Sequence, residues 1–244
     1  MFDNVEGIVR RQMVLFFVVD VSGSMGGEKI GTLNNTMREV LPELQGIGGA
    51  DVDLKIAVLK FSNGTEWVTS SPVSVDSGYQ WSPLTAEGCT DLGAACKKLA
   101  EKMSKDQFLN SPSASVAPAV FLLSDGEPTD DFIGGISTLK ANKWFKNSIK
   151  VALAIGDDAN KDVLAEFTGS IEAVVTAHNA EQLKKWIRFV SVTSSQVGSK
   201  SSAVSSSGEP ELKQNAVQEA IQQEAQDMQQ SGDAALAAPD DTWK

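Results

Sequence analysis

Asp20, Ser22 and Ser24 occupy alternate positions directly after an apolar run, in the sequence VVDVSGSMGG. Two further polar stretches carry the same kind of donor: Thr90 within GCTDLG and Asp125 within LLSDGEPTDD. Together they offer two carboxylates and three hydroxyls, with no His or Cys needed among them. An all-oxygen set suits a hard divalent cation, Mg2+ above all where several waters are kept, or Mn2+. Two carboxylates balance a divalent charge only formally. If the direct ligands are largely neutral hydroxyl oxygens, the ion stays electrophilic toward an outside anion. A carboxylate from a partner would be drawn to the open position. The pattern therefore fits capture of an acidic side chain better than a buried structural ion.

The alternation at 20, 22 and 24 fits a chain leaving an extended strand, in which every second side chain points the same way. A helix opening near Glu28 would aim its positive dipole end at the same place, which favours anions. The carboxylates of Asp20 and Asp125 must outweigh it, as a full charge exceeds a half charge at similar range.

The elements that position these loops are legible as periodic patterns. Residues 13–19, 53–61, 66–75, 116–123, 149–155 and 171–176 read as strands. Several are continuous apolar runs, as expected of strands buried on both faces. Pro72 marks 66–75 as an edge strand. Residues 28–44, 92–103, 136–145, 158–167 and 180–190 read as helices. In the first, Ile30, Leu33, Met37, Val40, Leu41 and Leu44 recur at helical spacing, and Pro42 should shorten or kink its last turn. Strands alternating with helices predict an α/β fold: a doubly wound, mostly parallel, six-stranded Rossmann-like sheet with helices on both faces. Ligands of such sheets bind beyond the carboxyl ends of the strands, where the strand order reverses. The loops at 20–24 and 124–126 follow strands, and the Thr90 loop opens a helix, so all three are expected at that edge.

Bulk properties narrow the alternatives. The chain has 244 residues, 41% of them apolar, and a net charge of -11. That is enough for one sizeable core plus a tail. The acidic balance argues against nucleic acid as a partner, since phosphate binding needs a basic face. No apolar run reaches the length of a membrane span. Arg10-Arg11 before residues 13–19 has a signal-peptide look, but Asp20 cuts the run short and no small-residue cleavage site follows. Cys89 and Cys96 read as buried free thiols in a reducing, cytoplasmic setting. From Ser191 the composition changes: 191–210 reads as a Ser/Gly-rich linker and 211–244 as an acidic tail, flexible, partly helical or disordered. Trp243 near its end has two readings, a docking peptide or part of a disordered terminus. The ordered domain is expected to span 1–190.

Asp20, Ser22, Ser24, Thr90 and Asp125, in this order and context, resemble the von Willebrand factor A domain and its metal-ion-dependent adhesion site. The resemblance covers about residues 10–190. It implies that Asp20, Ser22, Ser24 and Thr90 hold Mg2+ or Mn2+ directly or through water, with Asp125 acting through water. It also implies a protein partner that completes the shell with an Asp or Glu side chain or a C-terminal carboxylate. Within the family, VLPEL, GCTDLG and LLSDGEPTDD are most similar to the bacterial tellurium-resistance-associated (TerY-like) group. That likeness implies a cytoplasmic protein of a stress-response or phage-defence system, with an associated kinase or phosphatase as a possible partner. The second loop departs from the pattern, because Cys89 and Asp91 flank Thr90 in place of glycine and a small residue. Asp91 either caps a helix or adds negative charge near the ion.

Around this site, Tyr79, Trp81, Asp130 and Asp131 are candidates for a partner-contact rim, with Pro83 and Leu84 beside them. Trp81 has a second reading, as a plug at the sheet edge; Asp130 and Asp131 have a second reading as solvated loop acids. His178 reads as a polar residue near the start of the last helix, with no zinc-ligand pattern around it. Two other function classes remain. A Mg2+-dependent phosphoryl-transfer enzyme would resemble haloacid-dehalogenase-type phosphatases, but Ser22 stands where their second Asp acts as general acid. The phosphate-loop signature is also missing, since Glu28-Lys29 stands where Gly-Lys is required. The other is a structural scaffold in which the ion only locks three loops.

Overall fold

The computed structural model describes residues 10–48, 52–110, 116–200 and 210–230. Among them seven strands form one sheet: β1 (Arg11–Asp20), β2 (Val52–Ser62), β3 (Gly64–Trp67), β4 (Val73–Ser74), β5 (Ala119–Ser124), β6 (Ile149–Ile155) and β7 (Val174–Ala177). The order is β3-β2-β1-β5-β6-β7, with β4 also paired to β2. β2, β1, β5, β6 and β7 run parallel, while β3 and β4 run antiparallel to β2. The mostly parallel α/β sheet is as expected; the count of strands is not. Residues 66–75 do not make one strand. Val68 N–H still reaches Val58 C=O at 2.9 Å, but Val58 N–H then goes to the Thr69 hydroxyl at 3.0 Å instead of to backbone. Ser70, Ser71 and Pro72 leave the ladder, and the chain returns at Val73, opposite Ile56.

β1 is continuously apolar because helices cover both of its faces. Met13, Leu15, Phe17 and Val19 pack under α1 (Glu28–Glu43), α6 (Ala180–Lys200) and α7 (Pro210–Gln230). Val14, Phe16 and Val18 pack under α2 (Leu92–Lys102), α3 (Phe132–Ala141), α4 (Lys143–Lys146) and α5 (Lys161–Thr168). Phe16 and Phe17 are both fully buried, on opposite faces. Truncating either to Ala would cost about 3–5 kcal/mol. No helix among the described residues is long and apolar enough to cross a membrane.

Several element ends shift for local reasons. The expected helix 136–145 is two. α3 starts earlier because Asp131 accepts Gly134 N–H, and Asn142 breaks the run by accepting from Trp144 and Phe145 N–H. Its amide also donates to the Ala100 and Met103 carbonyls, which fastens the end of α2. α6 does not stop at 190 but continues to Lys200, through half of the segment read as linker. Ser191, Ser194 and Ser195 are buried on it, so serines that look like linker composition serve as small packing residues. α7 lies against the same face, with Val217 and Ile221 buried. Part of the expected tail is thus a packed helix; 201–209 and 231–244, including Trp243, lie outside the described residues.

The chain leaves β1 toward β2 on one side and later returns to place β5 on the other. The strand order therefore reverses at the carboxyl ends of β1 and β5, where Asp20 and Ser124 are the last residues.

Candidate metal centre

Asp20 ends β1 with no exposed surface. Its Oδ1 accepts Ser22 N–H at 2.8 Å, closing the turn after the strand. Its Oδ2 accepts the Ser124 hydroxyl at 2.6 Å, tying the first loop to the end of β5. Ser124 Oγ in turn accepts Gly126 N–H at 2.8 Å and so shapes the loop that carries Asp125. The Ser22 and Ser24 hydroxyls are 3.0 Å apart, the first buried and the second exposed. The extended alternation lasts only to Ser22; a 3-10 turn over Gly23–Met25 then brings Ser24 alongside.

Asp125 is the unusual group. It is 3% exposed, and neither of its carboxylate oxygens has a hydrogen-bond partner. Lys29 Nζ stands 3.5 Å from Oδ2, the distance of an ion pair. Buried carboxylates ordinarily find N–H or O–H donors, and leaving a charge without them is costly. Asp20 carries a cost of burial of its own. Burial pushes its carboxyl up to about 6, against the bonds from Ser124 and Ser22, and the charge of Asp125 adds to the rise.

The backbone of Thr90 ties its loop to the third loop. Its N–H donates to the Thr129 hydroxyl and its carbonyl accepts Thr129 N–H, each at 2.9 Å, which joins the second and third loops. Gly23 N–H donates to the Gly88 carbonyl at 2.9 Å, which joins the first and second. The start of α2 is pressed against the third loop: a Cβ on Gly93 would lie 2.2 Å from the Asp131 carbonyl oxygen. Only glycine permits that approach. Gly126 adopts φ +77, and a Cβ there would lie 2.8 Å from the Asn160 carbonyl oxygen.

Hydrogen bonds thus bring Asp20, Ser22, Ser24 and Ser124 together, Asp125 follows Ser124 and acts on Asp20 through its charge, and the Thr90 loop is joined to the first loop through Gly88 and to the third through Thr129. The rim is corrected at several places. Trp81 is buried: its Nε1–H donates to Asn34 Oδ1 at 2.9 Å, and the same oxygen accepts Leu84 N–H at 2.8 Å. It packs on α1 rather than facing a partner. Tyr79 is half-buried against the same core, and burial raises its hydroxyl pKa. Asp130 accepts Gly93 and Ala94 N–H at 2.8 and 2.7 Å, capping α2 from the third loop. Asp131 is exposed but caps α3. Asp91 neither caps nor faces the cluster; it accepts Gly64 N–H at 2.6 Å and holds the β2–β3 turn. Pro83 is exposed and Leu84 buried. Both cysteines are free thiols, but only Cys96 is buried as expected; Cys89 is exposed on the second loop. His178 precedes α6, and its ring pairs with Asp157.

Sequence reasoning missed Lys29, Ser124 and Thr129 as parts of this site. Ser124 carries a weak signal, a hydroxyl at the end of an apolar strand beside an acid. Lys29 and Thr129 carry none. Among the described residues no group of three or more His, Cys, Asp or Glu could hold a metal. What is present is an oxygen set with two carboxylates, one of them buried without donors. That set fits a small, hard cation and does not fit a zinc site of Cys and His.

The sequence profile of the von Willebrand factor type A domain matches residues 15–189. Inter-alpha-trypsin inhibitor heavy chain H2 of Mus musculus is 26% identical over 196 residues, covering 72% of this chain and 20% of that protein. The Homo sapiens protein of the same name is 24% identical over 200 residues, covering 78% and 20%. The chain therefore spans about a fifth of the length of these curated relatives. Among solved structures, the pilus adhesin SpaC of Lactobacillus rhamnosus GG in its open conformation superposes with a TM-score of 0.58 at 15% identity, over 75% of this chain and 30% of that one. A von Willebrand factor type A protein from Catenulispora acidiphila gives 0.56 at 19%, over 76% and 43%. Proximal thread matrix protein 1 of the mussel byssus, with a zinc-occupied metal-ion-dependent adhesion site, gives 0.55 at 17%, over 74% and 48%. The chain belongs to the von Willebrand factor type A family.

Proposed function

We propose that this von Willebrand factor type A chain is a protein-binding module that works through a divalent cation, and that it is not an enzyme. The observation that carries the reading is Asp125, a buried carboxylate whose two oxygens lack donors, next to the buried Asp20 at the switch point of the sheet. Asp20, Ser22, Ser24 and Thr90 would hold Mg2+ or Mn2+ directly or through water, and Asp125 through water. The bound ion would supply an electrophilic position for a partner's Asp or Glu side chain or C-terminal carboxylate. The chain's own residues do the rest. Ser124 orients Asp20, and Thr129 fixes the Thr90 loop. The zinc-occupied site of the mussel protein supports a metal at this motif in this fold.

The motifs VLPEL, GCTDLG and LLSDGEPTDD support a finer reading: a cytoplasmic, tellurium-resistance-like stress or phage-defence protein, with an associated kinase or phosphatase as partner. The test is Mg2+ and Mn2+ titration by calorimetry, paired with capture of candidate partners in Mg2+ or in EDTA. Wild type should bind the ion and capture its partner in Mg2+ but not in EDTA, and Asp20→Ala should bind neither ion nor partner while keeping its circular dichroism. Partner capture that survives EDTA, or metal-dependent turnover of a phosphate ester, would overturn the reading.

A further inference from the structure

We propose that Lys29 is a built-in counter-ion of this site: it neutralises Asp125 when no divalent cation is bound and passes to Asp158 when one is, so that Lys29 and Asp158 together set divalent affinity. This rests on the metal reading above and adds its regulation.

Lys29 enters from the first turn of α1 and is almost wholly buried, its side chain 9% exposed. A buried lysine needs a reason, since the ammonium is strongly hydrated in water. Its Nζ lies between two carboxylates of different character. Toward Asp125 it makes an ion pair at 3.5 Å and no hydrogen bond. Toward Asp158 it donates at 3.1 Å to Oδ1, with Oδ2 at 3.5 Å. The Asp158 side chain is 75% exposed and sits on the loop after β6. One partner is thus fixed and buried, and the other is free to follow the ammonium outward. The fold makes room for this arm. A Cβ on Gly156 would lie 2.9 Å from Lys29 Cε and 2.7 Å from Asp158 Oδ1, and that residue has φ +95. Any side chain there would press on the lysine and its outer acid.

The electrostatics give the arrangement opposite effects on the two states. Without an ion, Asp20 and Asp125 repel each other in a site of low dielectric, and Lys29 offsets that repulsion. With an ion bound, the ammonium is a like charge a few ångströms away and opposes it. Lys29 should therefore hold the empty site together and weaken the loaded one. Asp158, by drawing the ammonium outward, should do the reverse for the ion.

The experiment compares full-length wild type, Lys29→Met, Lys29→Gln and Asp158→Asn, by calorimetric Mg2+ titration and by melting in EDTA and in Mg2+. The Lys29 variants should melt below wild type in EDTA, bind Mg2+ about tenfold more tightly, and gain more melting temperature on adding it. Asp158→Asn should bind Mg2+ more weakly than wild type. Lys29→Gln serves if Lys29→Met does not fold. If wild type binds Mg2+ and both Lys29 variants bind it equally or less tightly, the counter-ion role is overturned and the metal reading stands. If neither wild type nor the variants take up Mg2+, both fall.

Discussion

Each end of the sheet holds a charge withdrawn from water, and the two are treated differently. At the carboxyl end, Asp125 is buried with neither oxygen hydrogen-bonded. At the amino end, Lys150, the second residue of β6, is half-buried, and burial lowers its pKa to about 8. Its Nζ donates to the Ser148 and Phe145 carbonyls at 2.8 and 3.3 Å and lies 5.4 Å from the Phe145 ring centre. Its backbone is also closed off: Lys150 N–H donates to Gln214 Oε1 at 2.8 Å, and its carbonyl accepts Gln214 Nε2 at 2.9 Å. The α7 residue replaces the strand neighbour that β7 is too short to provide. A chain shaped for stability alone would finish both ends. The amino-end charge has hydrogen-bond acceptors, while the carboxyl-end charge, at the proposed binding site, has no donors.

The largest expected effect comes from removing the carboxyl-end charge. Asp125→Asn should abolish the Mg2+-induced rise in melting temperature. It should leave the metal-free protein within about 1 kcal/mol of wild type, because relief of a buried charge without donors is offset by loss of its pair with Lys29, which keeps its bond to Asp158. Chemical denaturation in EDTA measures this. A Mg2+-induced rise that survives in this variant would break the comparison, since the buried carboxylate would then have no part in holding the ion.

The amino end is sharpened by pH. Lys150 has a folded pKa of about 8, against 10.5 for the unfolded chain. The unfolded state therefore holds the extra proton across that window, and the folded state gains on it as pH rises. Below about pH 8 the full cost is present; above about 10.5 it is gone. The stability of wild type relative to Lys150→Met should thus rise by about 2 kcal/mol between pH 8 and 10.5. A difference that stays flat would mean that water reaches the ammonium.

How much of this was legible follows from the range of each interaction. The apolar runs showed β1, β5 and β6 because burial on both faces leaves a continuous signal. Asp20, Ser22, Ser24, Thr90 and Asp125 showed because their types cluster locally at strand and helix ends. Lys29 did not, because its outer partner lies 129 residues away and one lysine in a helix looks like any other. Trp81 kept two readings, a contact residue or a plug at the sheet edge, because the hydrogen bond to Asn34 that decides for burial spans 47 positions. The serines of α6 read as linker because composition does not report which face of a helix is covered. Asn142 broke an expected helix by offering its amide to two backbone N–H groups, a local competition that hydrophobic spacing does not register.

The smallest effects separate acids that share the site's edge. Asp130 is partly buried and accepts two N–H groups of the first turn of α2, whose own cap residue, Asp91, makes no capping bond. Asp130→Ala should cost about 1–2 kcal/mol. Asp131 is exposed, accepts one N–H at 3.0 Å and has Lys97 at 3.6 Å. Its replacement by Ala should cost less, about 0.5–1 kcal/mol, since the exposed ion pair adds little. Both carboxylates are committed to backbone, so both variants should bind Mg2+ with wild-type affinity in calorimetry. If Asp130→Ala instead left stability intact and weakened partner capture, this acid would belong to the contact surface, and the division between committed and open carboxylates would have to be redrawn.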